Sequence, residues 1–210
     1  MGFKSRWLGG RLTWNLTAFK MKWKDYQVEV VDPGPLFAIL VANVGDAEID
    51  GISTEFTAYL WDSVDFGLNL QLLDPKTKAN EPALGLSPGE RLPFSAKEKG
   101  SVWLEYTHPR ELAGGHLYGR IQWTYNGNSL NAITDATLQP AYQLTDIKLG
   151  FEADDWEVYA YVDNLFNERA ILFDQLTAPP GQRNNPYFGT DTINDPRSWG
   201  IGFSKSWGGN

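Results

Sequence analysis

The segment from Arg197 to Trp207 separates two kinds of side chain by parity. Because a β-strand repeats its side-chain direction every two residues, this segment predicts a strand with one large apolar face and one small polar face. The small face carries no charge, which is typical of a wall between lipid and a polar lumen. A membrane β-barrel is therefore the first hypothesis. The apolar face holds Trp199, Ile201, Phe203 and Trp207 with Lys205, and the small face holds Ser198, Gly200, Gly202, Ser204 and Ser206.

The same alternation of apolar and polar side chains recurs in five earlier segments, at residues 11–18, 52–60, 64–72, 101–106 and 117–125. Helical periodicity is weak throughout, and Gly (21) and Pro (12) residues are scattered along the chain. These patterns predict an all-β chain. The apolar sets are Leu12, Trp14, Leu16 and Ala18; Ile52, Phe56, Ala58 and Leu60; Val64, Phe66, Leu68, Leu70 and Leu72; Val102, Leu104 and Tyr106; and Leu117, Ile121, Trp123 and Tyr125.

The first of these segments changes phase after Ala18. A β-bulge would produce such a change, and so would a strand that leaves the bilayer, where parity no longer has to match a lipid face. We favour the second interpretation. Beyond Ala18, Phe19, Met21 and Trp23 alternate with Lys20, Lys22 and Lys24.

Connections between the predicted strands alternate in length. The short ones lie at Gly9-Gly10, which favours a two-residue hairpin turn, and near residues 61–64, 108–115 and 152–155. The long ones cover roughly residues 31–36, 75–93, 126–140 and 166–196. Membrane barrels have short periplasmic turns and long extracellular loops. The chain is therefore predicted to form about nine antiparallel strands in one unit, residues 1–210.

Composition excludes several other classes of protein. The formal net charge of -8 leaves no basic surplus for nucleic acid. The absence of cysteine excludes disulfides and thiolate sites, and two histidines argue against a multi-histidine metal site. We expect neither a cofactor nor enzymatic activity, since acid, base and nucleophile occur in no recognisable relation. No signal peptide is recognised at the N-terminus.

A set of short motifs, taken in order, resembles the C-terminal barrel region of TonB-dependent outer-membrane receptors over nearly all 210 residues. The most specific part is the Asp163–Asn167 run before a long loop, followed by Pro196-Arg197 and an alternating terminal strand. The motifs are Gly2-Phe3-Lys4-Ser5, Trp23-Lys24-Asp25-Tyr26-Gln27, Asn43-Val44-Gly45-Asp46-Ala47, Gly89-Glu90-Arg91-Leu92-Pro93, Leu104-Glu105-Tyr106, Asp163-Asn164-Leu165-Phe166-Asn167 and Pro196-Arg197-Ser198-Trp199-Gly200.

The resemblance implies a 22-stranded barrel in the Gram-negative outer membrane, with an N-terminal plug inside its lumen. Such receptors import scarce nutrients, such as ferric siderophores, driven by the TonB complex. The implied partners are outer-membrane lipid, the rest of the barrel and plug, the TonB complex and a small nutrient ligand. We expect residues 1–210 to be a C-terminal part of such a barrel without the plug. Its open edges would then prevent transport by the chain alone.

Candidate ligand contacts concentrate in the loop from Phe166 to Pro196, although no single residue is assigned as a catalytic, cofactor or metal site. Two acidic clusters are interpreted as solvated turns or loops, and the two histidines as surface residues beside a periplasmic turn. The loop residues are Arg169, Gln182, Arg183, Asn184, Asn185 and Tyr187; the clusters are Glu152, Asp154, Asp155 and Glu157, and Asp32, Asp46, Glu48 and Asp50; the histidines are His108 and His116.

Two alternatives make opposite structural predictions. A soluble all-β carbohydrate-binding module would bury the face of Trp199, Ile201 and Phe203 under a second sheet. A small, complete structural outer-membrane barrel would have an even number of strands and would pair its first strand with its last.

Overall fold

The computed structural model describes residues 1–31, 39–43, 45–80, 87–131, 138–174 and 191–207. Within these ranges the chain forms β-strands and one 3-10 turn (Leu8–Gly10), and no helix there is long and apolar enough to cross a membrane. The strands are β1 (Gly2–Trp7), β2 (Leu12–Trp23), β3 (Gln27–Val31), β4 (Ile39–Asn43), β5 (Ala47–Leu60), β6 (Val64–Thr77), β7 (Glu98–Thr107), β8 (Gly115–Asn126), β9 (Ser129–Leu130), β10 (Leu138–Gln139), β11 (Tyr142–Ala153), β12 (Trp156–Asp163), β13 (Ile171–Asp174), β14 (Asp191–Ile193) and β15 (Ser198–Lys205).

Nine of these strands form one antiparallel sheet in the order β1-β2-β5-β6-β7-β8-β11-β12-β15. The remaining strands make three two-stranded hairpins, β3–β4, β9–β10 and β13–β14, which lie within three of the four long connections. Tight turns therefore join the strands at one end of the sheet, and larger connections join them at the other. The predicted all-β fold, strand number and alternation of loop length are confirmed.

The first tight turn differs from the sequence-based expectation. Trp7 pairs with Leu12, so the connection has four residues rather than two. The Arg11 N–H donates to the Leu8 carbonyl oxygen at 3.3 Å, and Leu8, Gly9 and Gly10 all have positive φ. The two glycines accept this left-handed backbone at low cost, which lets the turn widen around them.

The apolar face of the closing strand is uncovered. Trp199 and Ile201 are each 77% exposed and Phe203 is 67% exposed. A second sheet would have buried these side chains, so the soluble carbohydrate-binding module is wrong. The described sheet also begins with β1 and ends with β15, which do not pair with each other. The structure therefore lacks the closure that a small complete barrel needs.

The phase change in β2 is not a bulge. Its ladder with β5 runs without a register shift from the Leu12–Ala58 pair to the Trp23–Ala47 pair. An unbroken ladder keeps the direction of each side chain fixed by parity. Lys20 and Lys22 therefore lie on the same face as Leu16 and Ala18, farther toward the long-loop end.

Fully buried side chains are few in the described part of the chain, and most of them lie near the long-loop end. There the connection after β6 packs against the parts of β5 and β6 that lie nearest the long loops. The Leu92 N–H donates to the Pro75 carbonyl oxygen at 3.1 Å, and the Thr77 N–H donates to the Glu90 carbonyl oxygen at 2.8 Å. This end of the sheet is thus a packed extension. Its buried side chains include Ala47, Thr77, Ala79, Leu92 and Ala96.

Candidate functional site on the inner face of the sheet

The face opposite the apolar wall is polar and concave. Near the long-loop end its side chains border an open hollow of about 590 Å³, which contains two lysines and one glutamate among mostly neutral polar groups. Register places these residues on neighbouring strands at similar heights. A surface of this kind suits a polar ligand or a second polar domain. The inner-face lining includes Lys4, Asn15, Ser53, Glu55, Asn69, Gln71, Lys99, Ser101 and Thr124.

Aromatic rings on this face lie flat over glycines of the neighbouring strand. Tyr159 is directly opposite Gly202, and Tyr161 is directly opposite Gly200. In both pairs a side chain on the glycine would overlap the tyrosine ring. The small face of β15 therefore provides room for tyrosines of β12. The same arrangement joins Trp103 to Gly67 and Tyr118 to Gly150.

Lys148 is the centre of a charged cluster toward the tight-turn end. Its ammonium group lies 3.8 Å from the ring centroid of Tyr159 and 5.3 Å from that of Tyr118, and it donates to Glu157 at 2.6 Å. The Tyr118 hydroxyl donates to the same Glu157 oxygen, and the Ser204 hydroxyl donates to the other at 3.4 Å. Glu157 was expected to be a solvated turn acid. Instead it links β8, β11, β12 and β15.

Arg120 forms a second cluster on β7 and β8. Its guanidinium carbon lies 4.4 Å from the Trp103 ring centroid, and Nη1 donates to Glu105 at 3.3 Å. Nη2 donates to Gln122 at 3.3 Å. Alternation in the sequence placed these residues on one face, but only register shows which of them touch. In both clusters the cation contacts a carboxylate and an aromatic ring of the wall itself.

The Asp163–Asn167 motif joins the two ends of the last long connection by hydrogen bonds. Asn164 is 5% exposed and has a left-handed φ of 51°. Its amide nitrogen donates to the carbonyl oxygens of Glu168 at 2.9 Å and Asp195 at 3.0 Å, and its amide oxygen accepts from the Glu168 N–H at 2.8 Å. Asn167 accepts from the Arg197 N–H at 3.0 Å. The most specific motif of the sequence is therefore structural.

Three of the long connections are tied to one another. The Arg91 guanidinium donates to the Asn128 side-chain oxygen at 2.7 Å, and the Phe94 N–H donates to the Leu130 carbonyl oxygen at 2.7 Å. The Phe94 ring stacks on that of Phe173, with centroids 5.4 Å apart. The sequence analysis did not predict these contacts because the residues involved belong to different loops.

Of the six predicted ligand contacts in the last long connection, one lies in the described part of the chain. Arg169 is exposed beside β13. The other five candidates in that loop, and Asp32 of the second acidic cluster, lie outside the described residues. They therefore stay predictions. The five are Gln182, Arg183, Asn184, Asn185 and Tyr187.

The remaining acids of the second cluster belong to separate contacts. Glu48 and Asp50 both pair with Lys20, whose ammonium lies 3.3 Å from Asp50, while Asp46 accepts from the Asp25 N–H at 3.4 Å. The hydrogen bond from Lys20 lowers the pKa of Glu48 below its usual value. Among the described residues no group of three or more His, Asp or Glu side chains could hold a metal ion.

The turn residues fall at the tight-turn end. Asp155 pairs with Lys205 at 3.2 Å, as an exposed turn acid would. Nδ1 of His116 lies 3.0 Å from the His108 carbonyl oxygen, so the His116 ring contacts the backbone at the other end of the same turn. They are far in register from the hollow at the long-loop end.

Comparison with known proteins gives a consistent result. The chain matches the family model described as TonB dependent receptor-like, beta-barrel, over residues 1–165. Among solved structures it resembles the ferric yersiniabactin uptake receptor FyuA from Yersinia pestis, with 20% identity and a TM-score of 0.75 over 97% of this chain and 29% of that chain. The siderophore receptor PiuA from Acinetobacter baumannii has 16% identity and a TM-score of 0.70, and the match covers 96% of this chain and 27% of that chain. The copper transporter OprC has 14% identity and a TM-score of 0.73, and the match covers 98% of this chain and 30% of that chain.

The chain spans less than a third of the length of each of these structures. The family consists of outer-membrane receptors of Gram-negative bacteria and not of enzymes, so the expected location and the absence of catalysis are confirmed. The long-loop end of the sheet is accordingly extracellular, and the tight turns are periplasmic. With the family model covering residues 1–165 and the nine-stranded sheet following the same fold, the chain belongs to the TonB-dependent receptor β-barrel family.

Proposed function

We propose that the chain forms a C-terminal wall of the barrel of an outer-membrane receptor for TonB-dependent uptake of a scarce nutrient, such as a ferric siderophore. The observation that carries the proposal is the nine-stranded sheet with an apolar outer face and a polar inner face. The fold of 97% of this chain is similar to part of a ferric yersiniabactin uptake receptor.

The edges of the sheet support a larger barrel. Strands β1 and β15 each present one unpaired side in the described sheet. Lipid offers no hydrogen bonds, and each unsatisfied backbone group costs several kcal/mol, so a spanning sheet has to be closed by further strands. We propose that the rest of the receptor supplies these strands and a plug that faces the polar inner wall. The TonB complex would act on the plug side of that receptor.

Uptake tests this proposal directly. The receptor that contains this chain is expressed in cells lacking their own ferric siderophore receptors, and uptake of a panel of radiolabelled ferric siderophores is followed. We expect saturable uptake of at least one ferric complex, and a protonophore should abolish it because TonB transmits the energy of the inner membrane. Uptake that persists with the protonophore, or transport of no member of the panel, would contradict the proposal.

A matched pair of arginine variants locates the ligand contact. Arg169 is exposed at the extracellular end, and Arg110 lies in a periplasmic turn. If extracellular cations attract an anionic ferric complex, Arg169→Ala raises the concentration for half-maximal uptake while Arg110→Ala leaves it unchanged. Equal effects of the two variants would show that the last long connection does not contribute to ligand binding.

A further inference from the structure

In the three connections that follow β6, β8 and β12, several side chains are buried as completely as those of a globular core. Burial of this kind requires close packing on every side of the residue. A connection of a few residues cannot surround its own side chains, so its neighbours have to supply that packing. The buried residues, each 5% exposed or less, are Leu92 and Ala96 in the first connection, Asn131 and Gln139 in the second, and Asn164 and Ala170 in the third.

Arg91 holds the first two of these connections together. Its Nη1 donates to the Asn128 side-chain oxygen at 2.7 Å, and its Nη2 donates to the carbonyl oxygens of Asn128 and of Ser95, the latter at 2.9 Å. The Phe94 N–H adds a backbone hydrogen bond to the Leu130 carbonyl oxygen at 2.7 Å. A guanidinium presents its donors in one fixed plane, so three acceptors bound at once fix the position of one connection against the other.

The third connection contacts both of the others through β13. The Phe173 ring stacks on the Phe94 ring of the first connection, with centroids 5.4 Å apart. The backbone of β10, in the second connection, comes within 8 Å of that of β13. Moving any one connection therefore breaks its contacts with two others. The three connections are here called the loop block, which consists of the described residues 87–97, 127–131, 138–141, 164–174 and 191–197.

We propose that the loop block is one rigid body, held by Arg91, which keeps its shape while the receptor binds and imports its ligand. Packed interiors have few discrete arrangements and do not deform gradually. Separating the first two connections would leave the Arg91 donors and their carbonyl acceptors unpaired, which costs more than the bonds themselves contribute. The loop block is a fixed side of the ligand entrance, and movement during uptake is confined to other parts of the receptor.

A cross-link within the loop block tests its rigidity in the full receptor. Leu138 on β10 is 55% exposed, and Leu172 is 44% exposed and lies at the irregular position of the β13–β14 ladder, so neither side chain holds the block together. The chain has no cysteine of its own, and cysteines elsewhere in the receptor are replaced by serine. A flexible bismaleimide then joins Leu138→Cys to Leu172→Cys. Receptors with only one of the two cysteines are the reagent control.

We expect the cross-linking rate to be the same with and without each ferric siderophore of the uptake panel, and with and without a protonophore. A rate that changes when a ferric siderophore binds, or when the cells are energised, would overturn the proposal. Failure of the two cysteines to cross-link in the ligand-free receptor would contradict the proximity of β10 and β13 on which the block depends.

Uptake by the cross-linked receptor is a second readout, which rests on the proposed uptake function. A rigid block loses no necessary movement when it is tethered, so the concentration for half-maximal uptake and the maximal rate should both equal those of the untethered receptor. Uptake that is lost on tethering would overturn the rigid block. Absence of uptake by the untethered receptor would instead contradict the proposed function, and the cross-linking rates would still decide rigidity.

Arg91→Gln tests what holds the block. A hydrogen bond to a charged group changes an equilibrium by about tenfold or more, so Arg91→Gln should lower the protection of residues 127–131 against hydrogen exchange at least about tenfold. Lys97→Gln removes an exposed cation of the same connection and should leave that protection unchanged. Equal losses in the two variants, or full protection in Arg91→Gln, would show that Arg91 does not hold the block. Heat-modifiable migration on gels confirms that every variant is folded.

Discussion

At the scale of single residues, the inner wall is built from glycines placed opposite aromatic side chains. A glycine within a strand ordinarily weakens the strand because it has no side chain to pack. Here the ring of the opposite residue covers the gap, as at Gly202 with Tyr159. The covering ring also holds the Lys148 ammonium at 3.8 Å. Small residues on β15 thus position a cation on β11, two strands away.

Gly202→Val tests this arrangement. The added side chain overlaps the Tyr159 ring, so the ring has to leave its position over β15 and its contact with Lys148. We expect the free energy of unfolding of the purified receptor to fall by about 1–3 kcal/mol, which is the usual cost of overpacking. Urea unfolding in detergent, followed by tryptophan fluorescence, measures it.

A second inner-face glycine provides the control. A side chain on Gly2 would meet only ordinary contacts with Thr17 and Leu16, at 3.7 and 3.8 Å. Gly2→Val should therefore leave the unfolding transition nearly unchanged, and Tyr159→Ala should relieve part of the defect of Gly202→Val. Similar destabilisation by both valines would show that strand propensity, and not the tyrosine ring, determines the effect.

At the scale of elements, the strands β2, β5 and β6 continue beyond the row of Ala18, Ile52 and Leu72, where their outward residues change from apolar to charged. Their outward charged side chains range from Lys20, 48% exposed, to Glu48, 18% exposed, and their inward residues there are largely apolar, including Phe19, which lies over Gly51. The extension thus has the opposite polarity to the membrane segment below it. Because the polarity of the two faces is reversed there, the same hydrogen-bonded strands can face lipid in one part and water in the other.

The Glu48–Lys20 pair makes the extension sensitive to acid. The folded-state pKa of Glu48 lies below its ordinary value because Lys20 donates a hydrogen bond to its carboxylate. The pair therefore stabilises the fold fully above the unfolded pKa of about 4.3, and the contribution is lost as the pH falls through the folded pKa. Protection of β2 and β5 against hydrogen exchange, expressed relative to the intrinsic exchange rate at each pH and measured by mass spectrometry, should fall below about pH 4.3.

Glu48→Gln is the matched variant for that experiment. It keeps the shape of the side chain but cannot titrate, so the loss of protection between neutral and acidic pH should become smaller in β2 and β5. Exchange in β1, which contains no Asp or Glu, serves as the internal reference. An unaltered pH dependence in the variant would assign the effect to other carboxylates.

The loop elements form a second packed layer through the Phe94–Phe173 stack. Aromatic pairs of this kind contribute about 0.5–1.5 kcal/mol beyond their burial. Phe94→Ala should therefore loosen β13 and residues 127–131, and the result is faster hydrogen exchange in both segments. Phe166→Ala removes an exposed ring, 75% accessible to solvent, and should leave exchange in those segments unaltered. Faster exchange confined to the loop that carries Phe94 would show that the loops are independent.

At the scale of the whole molecule, the sheet is a wall with lipid on one side and a polar space on the other. Neither face is buried by a second layer in the described residues, so stability does not come from a globular core. It comes from ladders between adjacent strands and from the surroundings on each face. The effect of a substitution on stability should accordingly depend on whether the residue faces lipid or the polar space.

Ile201→Arg tests the assignment of the outer face. Ile201 lies in the middle of β15 on the exposed apolar side. An arginine facing lipid near the midplane costs about 2–4 kcal/mol, so we expect less receptor to assemble as a heat-modifiable barrel in the outer membrane. The control, Ser198→Arg, places the same charge on the inner face. Equal impairment by the two variants would contradict the difference between the faces, and stronger impairment by Ser198→Arg would show that the faces have been assigned the wrong way round.

Which residues share a face follows from the amino-acid sequence alone, although β2, β5 and β6 are longer than the alternating runs that predict them. Side-chain direction alternates locally with a period of two, and glycine-rich or polar turns mark the ends, so Trp199 and Leu68 could be placed on the outer wall without coordinates. It also predicted the strand number and the family. These features depend on neighbours in the chain.

Which residues touch depends on the three-dimensional pairing of the strands. Tyr118 and Glu157 are 39 residues apart, and Trp14 and Thr54 are 40 residues apart, yet both pairs are hydrogen-bonded. Such contacts depend on register between strands, and a slip of one residue would move every side chain to the other face. The same reason explains why Glu157 was mistaken for a solvated turn acid. Its partners come from β8, β11 and β15, and no local pattern encodes their meeting.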